Sequence, residues 1–220
     1  MLMMYELFFY ANAYVALRRL LSTPGFQWRD ETTPGRLCST LSAILCTNLL
    51  VLGYEAAALR VGLYYFLVDL VYLAKDRKPE MMLHHLTGAF LCFFSLRANL
   101  LTESHPWRPI TLALIWMEAT NPLLHLAILW KTEFQAWNLP RCQMLVNVLL
   151  ILAWIKLRIY DVIQAAIVAL HGFRNKTYIT SVELLAGGFV ILMVALQVFW
   201  LGKLLLAARK VGGKSGSASE

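Results

Sequence analysis

Two adjacent histidines, His84 and His85, stand in the run PEMMLHHLTGAF, and one acid, Asp69, stands in the apolar run YYFLVDLVYLAKD. Asp69 is six residues before Lys75, which is about 9 Å along a helix. Only the short polar joint KDRKPE separates the two runs. The joint predicts neighbouring antiparallel helices with Asp69 and the His pair at comparable depth. A carboxylate beside an imidazole fixes its tautomer and raises its basicity. Such a pair suits a general base or a nucleophile. Adjacent residues point about 100° apart on a helix, which predicts that one histidine of the two faces a given site. The structural alternative is a His pair bonded to backbone at the membrane interface, with Asp69 serving as a cap or as a partner of Lys75.

A second group lies further on. IWMEATNPLLHL carries Glu118, Asn121, Pro122 and His125. Glu118 and His125 are seven apart and share a helix face. Pro122 removes the hydrogen bond to the Glu118 carbonyl and predicts a kink, and Asn121 suits a bond across a bundle. Asn147, Trp154, Arg158 and Asp161 follow at spacings of 7, 4 and 3, which predicts one helical stripe. Arg158 is then about 16 Å deeper than Asn147. A Glu118–Arg158 pair inside the bundle makes both charges tolerable, and a direct contact of either with substrate is the alternative. Lys156 falls on the opposite side. Lys75, Arg77 and Lys78, beside His84, suit the phosphates of an acyl-CoA or an anionic lipid headgroup. Plain anchoring at the interface is the competing role.

Metal and nucleotide chemistry find little support. The five histidines form no HxxH, HxxxH or HExxH pattern. Glu80 and His84, four apart, are too few ligands. There is no P-loop, GxGxxG or GxSxG. Cys38, Cys46, Cys92 and Cys142 show no CxxC spacing and read as buried free thiols. No metal and no resident cofactor are expected, and acyl-CoA enters only as a substrate.

The elements that must hold these residues are membrane spans. The chain of 220 residues is 59% apolar and only 15% charged, against about 25% in a soluble domain, and its mean hydropathy is +0.59. That composition excludes a soluble enzyme, a secreted disulfide scaffold and a disordered chain. Seven apolar runs approach span length: Leu2–Leu21, Leu37–Tyr54, Val61–Ala74, His84–Leu101, Pro109–Trp130, Met144–Leu170 and Val182–Ala207. Arg18 and Arg19 follow the first run, the reverse of a signal peptide's order, so it reads as a retained helix. Alternating spans put 13 basic residues on one side and 5 on the other. The richer side is then cytosolic, the N-terminus lumenal and the C-terminus cytosolic. The net charge of +7 belongs to span flanks, and no nucleic acid is expected. The tail GGKSGSASE reads as disordered.

The pieces taken in order resemble the TLC domain, shared by ceramide synthases, the translocating-chain-associated membrane protein and the ceroid lipofuscinosis membrane protein. WRDETTPGRLCSTLSAI resembles its opening, with Arg36 and Ser39 at the start of the first core helix. GLYYFLVDL resembles its aromatic Asp helix, PEMMLHHLTGAF its His-pair helix and MEATNPLLHLAILWK its Glu-x-x-x-Pro helix. NVLLILAWIKLR resembles its Asn-to-Arg helix, and LQVFWLGKLLLAARK its last helix. The closest likeness is to the small TLC-domain membrane proteins. The resemblance implies an all-α integral membrane fold, with six core helices around a lipid-accessible cavity and one N-terminal transmembrane helix. The implied division is an N-terminal helix and linker over 1–27, a TLC domain over 28–210 and a cytosolic tail over 211–220. In ceramide synthases the His pair is catalytic in acyl transfer from acyl-CoA, which would carry over to His84 and His85 with Asp69 beside them. The acidic cluster that ceramide synthases place in the next span is replaced here by Glu118 and His125. The resemblance therefore points to membrane lipid homeostasis, with lipids as partners and the endoplasmic reticulum as location. Acyl-CoA-dependent acyl transfer is the alternative.

Overall fold

The computed structural model describes residues 2–76, 79–98, 101–102, 105–134, 139–174 and 180–215. All regular structure among them is helical. The helices are α1 (Leu2–Leu21), α2 (Thr33–Val51), α3 (Glu55–Asp76), α4 (Pro79–Arg97), α5 (Arg108–Trp116), α6 (Asn121–Thr132), α7 (Pro140–Ala153), α8 (Asp161–Phe173) and α9 (Ser181–Ser215). A 3-10 turn, Met117–Thr120, joins α5 to α6, and a π-helical segment, Trp154–Tyr160, joins α7 to α8.

Local chemistry sets these boundaries. Prolines open α2, α5, α6 and α7 within the first turn, where a missing N–H costs nothing. The α2–α3 hairpin turns at Gly53, whose φ of +80° is the left-handed conformation that glycine adopts freely. The Tyr54 N–H donates to the Leu49 carbonyl and the Gly53 N–H to that of Leu50, which satisfies the helix's last acceptors. At Pro122 the predicted kink takes the form of the 3-10 turn, tightened by the Asn121 N–H donating to the Glu118 carbonyl.

Four helical stretches are long and apolar enough to cross a membrane: Glu55–Lys75, Arg108–Thr132, Arg141–Phe173 and Glu183–Leu206. The outer surface carries large exposed apolar side chains, among them Phe9 at 77% and Ile191 at 73%, as a surface facing lipid requires. The chain is an integral multipass membrane protein. The third run is longer than the sequence suggests. α3 begins at Glu55 and takes in Arg60, because Arg60 pairs with Glu6 of α1 at 3.0 Å and Glu55 with Arg108 at 2.6 Å. At the opposite end of the bundle the Glu133 carboxylate accepts from the Arg29 and Asp30 N–H groups and from the Thr33 hydroxyl.

The core sits between α2, α3 and α4 and includes Leu59, Leu63, Tyr65, Phe66 and Cys92. Gly88 of α4 lets the two helices close on each other: a β-carbon there would lie 2.6 Å from the Phe66 ring. Cys38, Cys46 and Cys92 are buried free thiols, whereas Cys142 is exposed, because it sits at the start of α7 outside the apolar packing. α9 continues through Ser215, and residues 216–220 of the tail lie outside the described residues.

Candidate functional site

The close approach of α3 and α4 determines where the histidines stand. The Phe66 ring meets both imidazoles edge-on, His85 at 5.3 Å and His84 at 5.9 Å between centroids, and Tyr65 lies 5.3 Å from His85. One turn along α3 from Tyr65, Asp69 offers its Oδ2 to the His85 Nδ1 at 3.6 Å. That is an electrostatic contact, too long for a hydrogen bond, and the His85 Nδ1 has no hydrogen-bond partner among the described residues. The other carboxylate oxygen, Oδ1, accepts from the Tyr14 hydroxyl of α1 at 2.8 Å. His84 turns the other way. Its Nδ1 lies 3.0 Å from the Met193 sulfur, and its ring meets Trp200 at 5.1 Å.

Two adjoining lobes of a cavity open beside this cluster. The first, about 230 Å³, lies among α1, α2, α3, α4 and α6, and its walls include Arg18, Gly35, Arg36, Asp69 and Ile128. The second, about 240 Å³, reaches α9 and the π-helical segment, with Asn121, Arg158, Trp200, Lys203 and Leu204 on its walls. Ser39, Tyr65, Met81, His85, Leu124 and His125 line both. Both histidines of the pair line the second lobe, where 100° spacing predicts one. His85 lines both lobes and His84 the second alone.

Arg158 is 2% exposed. Its Nε donates to the Thr120 hydroxyl at 2.5 Å, its Nη2 to the Asn121 Oδ1 at 2.5 Å and its Nη1 to the Gln197 Oε1 at 3.0 Å. Its guanidinium also stacks 4.3 Å over Trp154. Asn121 in turn donates to the Glu118 Oε2 at 2.5 Å. The expected Glu118–Arg158 pair is therefore indirect, with Asn121 between the two charges. The 3-10 turn brings Thr120 and Asn121 to the guanidinium and sets Glu118 one step back. Among the described residues the Glu118 Oε1 has no hydrogen-bond partner, and Glu118 borders a void of about 20 Å³, the size of one water, beside Ser95 and Thr111.

The predicted stripe on the later helix holds for Trp154 and Arg158 and breaks at Asp161, which pairs with Lys156. In a π-helix residues five apart come into register, so Lys156 and Asp161 meet and the acid turns away from Arg158. Asn147 is half-buried on α7 and lines neither lobe. His125 lines both, with its Nδ1 2.7 Å from the Thr40 hydroxyl. Lys75 is exposed, stands 6.0 Å over the Tyr72 ring, and lines neither lobe. Arg77 and Lys78 lie outside the described residues.

The cations that do line the cavity are Arg18, Arg36, Arg158 and Lys203, against the acid Asp69. Sequence reasoning counted Arg18 and Lys203 only among the basic residues of the cytosolic side and did not find Tyr14, Gln197 or Trp200. Gln197, 0% exposed, is a polar residue inside an apolar run, a signal that could have been read. At the rim, outside the spans, the Thr32 hydroxyl and backbone N–H hold the Asp30 carboxyl down to about 2, with help from Arg36. Glu133 is also lowered: burial opposes this, but the Arg29 and Asp30 N–H groups and the Thr33 hydroxyl outweigh it. Among the described residues no three His, Cys, Asp or Glu side chains converge as a metal site.

This arrangement can hold an amphiphile: apolar walls for a chain, fixed cations for an anionic group, and an imidazole beside a carboxylate. No curated protein and no solved structure matches the chain. The TRAM/LAG1/CLN8 family model, described as the TLC domain, matches residues 5–206, a stretch that takes in α1 as well as the His-pair, Glu-Pro and Arg158 helices. The chain is a member of the TLC-domain family.

Proposed function

We propose that this protein binds a membrane lipid in its central cavity and acts in membrane lipid homeostasis, with six core helices and α1 around the site. The observation that carries the reading is the cavity itself. Its two lobes share a wall formed by Ser39, Tyr65, Met81, His85, Leu124 and His125. Together they reach the range of small-molecule sites, about 300–1,000 Å³. A wall that combines Leu124, Ile128, Trp200 and Leu204 with four cations suits an amphiphile with an acyl chain and an anionic group. The ligand is drawn from the surrounding bilayer. The endoplasmic reticulum location, with a lumenal N-terminus, follows from family likeness and the positive-inside count.

One observation favours a second reading, acyl transfer from acyl-CoA to a lipid amine or hydroxyl. The chain Tyr14–Asp69–His85 has the form of a base oriented by a carboxylate that is itself held in place. Catalytic hydrogen bonds are often long before substrate binds, and 3.6 Å is such a length.

One assay separates the readings. Purified protein and the His84→Ala/His85→Ala double variant receive long-chain acyl-CoA and a pool of amine and hydroxyl lipids. Free CoA, newly acylated lipid and co-purified lipid are all read by mass. Co-purified lipid without turnover is the expected result. CoA release that vanishes in the variant would replace the binding reading with acyl transfer. Neither retained lipid nor turnover would overturn both.

A further inference from the structure

Arg18 stands in the last turn of α1 and lines the first lobe. Its guanidinium lies 3.7 Å over the centre of the Tyr72 ring. On its other side is the bare backbone of Gly35, where a β-carbon would come within 3.2 Å of the guanidinium. The group is thus clamped between an aromatic face and a glycine.

Its N–H groups have no acceptor among the described residues. Four other arginines differ in this respect. Arg36 pairs with Asp30 at 2.6 Å, Arg60 with Glu6, Arg108 with Glu55, and Arg158 has three oxygens. A half-buried guanidinium held in place with its five donors unused is prepared for an anion from outside the protein. Arg36 lines the same lobe, so two guanidinium groups converge there. The one carboxylate on that wall, Asp69, is turned to Tyr14 and His85. The site is at the end of the bundle where α1 finishes, at Leu21.

We propose that Arg18, backed by Arg36, forms a phosphate subsite in the first lobe for an amphiphile whose acyl chain runs past Leu124 and Ile128. This rests on the reading that the cavity holds a membrane amphiphile. A phosphate has the oxygens to take the planar donor fork of one guanidinium and the charge of a second. A lipid headgroup and the phosphates of an acyl-CoA supply the same chemistry.

The test uses the full chain in detergent, as wild type, Arg18→Gln, Arg18→Lys and Gly35→Ala, with thermal stability measured for each. Scintillation proximity reads binding of tritiated lysophosphatidic acid and of monoacylglycerol with the same chain. Acyl-CoA and inorganic phosphate are the competitors. Wild type should bind the phosphate-bearing lipid about tenfold to a hundredfold more tightly, the range for charge-assisted hydrogen bonds. The preference should vanish in Arg18→Gln. It should fall in Arg18→Lys and in Gly35→Ala, where the net charge is unchanged but the guanidinium is lost or displaced. Stronger competition by acyl-CoA than by lysophosphatidic acid itself assigns the phosphate to CoA, and weaker competition assigns it to a headgroup. Displacement by inorganic phosphate at millimolar concentration supports a subsite for phosphate alone. A preference unchanged in Arg18→Gln would overturn the subsite and leave the cavity reading intact. Binding of neither lipid by wild type would overturn both.

Discussion

Replacing Gly88 with alanine tests the contact on which the histidine geometry depends. The added β-carbon would lie 2.6, 2.8 and 2.9 Å from three ring carbons of Phe66, whereas carbon atoms prefer about 3.5–4.0 Å. The ring must therefore move by roughly 1 Å. It is 5% exposed and is bounded by Tyr65, His84 and His85, and the void of about 20 Å³ that it lines with Gly88 is too small to take the ring. Overpacking of this kind costs about 1–3 kcal/mol. Alanine regains about 0.5–1 kcal/mol of helix propensity, which leaves a net loss of about 0–2.5 kcal/mol, and a loss of about 1–3 kcal/mol relative to an unobstructed glycine-to-alanine change. Gly188 of α9 is the internal control, because nothing lies within 4 Å of a β-carbon there. Gly188→Ala should be neutral or slightly stabilising. Thermal denaturation in detergent reads both. Pairing Gly88→Ala with Phe66→Leu should cost less than the sum of the two, by at least about 0.5 kcal/mol. If Gly88→Ala proves as stable as Gly188→Ala, the α3–α4 contact does not constrain Phe66 and the argument for the histidine positions fails.

Other outcomes follow from the same geometry. Asn121→Ala removes the bridge between Glu118 and Arg158 and should cost about 1.5–3 kcal/mol in thermal stability, the worth of a hydrogen bond to a charged group; a shift within error would mean the bridge is not formed. Tyr14→Phe removes the hydroxyl on Asp69 and should loosen α1, seen as faster proteolysis in the joint after Leu21, while Tyr5→Phe on the exposed face of α1 changes nothing. The Asp30 and Glu133 carboxyls lie below their ordinary values, so the stability they contribute is present above those values and lost as pH falls through the lowered ones. For Asp30 the window runs from 3.8 down to about 2. Wild type should lose stability on acidification more steeply than Glu133→Gln, and parallel acid curves would exclude a role for this clamp.

The apolar runs were legible because hydrocarbon demands a continuous apolar stretch; the described residues of the seven are mostly helical, and four helical stretches are long and apolar enough to cross a membrane. Asp69 and His85 were brought to one depth by counting across a short joint, which fixes depth when two helices are antiparallel. What the sequence could not show was mostly a matter of which face a helix presents. Lys75 and Arg18 both read as interfacial cations. Only the packing of α1 on α3, through Tyr14 and Tyr72, turns Arg18 inward while Lys75 points out. The stripe ending at Asp161 assumed 3.6 residues per turn, and the π-helical segment breaks that register. The Glu118–Arg158 pair was inferred from charge, and the 3-10 turn at Pro122 places Asn121 between the two. Asn147 shares the predicted stripe but lines neither lobe.

The most direct measurement of the central claim is photolabelling. A lysophospholipid carrying a diazirine on its acyl chain is activated on the protein in detergent, with and without an excess of the unlabelled lipid, and labelled residues are read by mass. The account predicts labels on Leu124, Ile128, Trp200 or Leu204 that the competitor removes and that Leu124→Trp, which fills the shared wall, abolishes. Labels confined to outward residues such as Leu145 and Ile191, and insensitive to competitor, would contradict it.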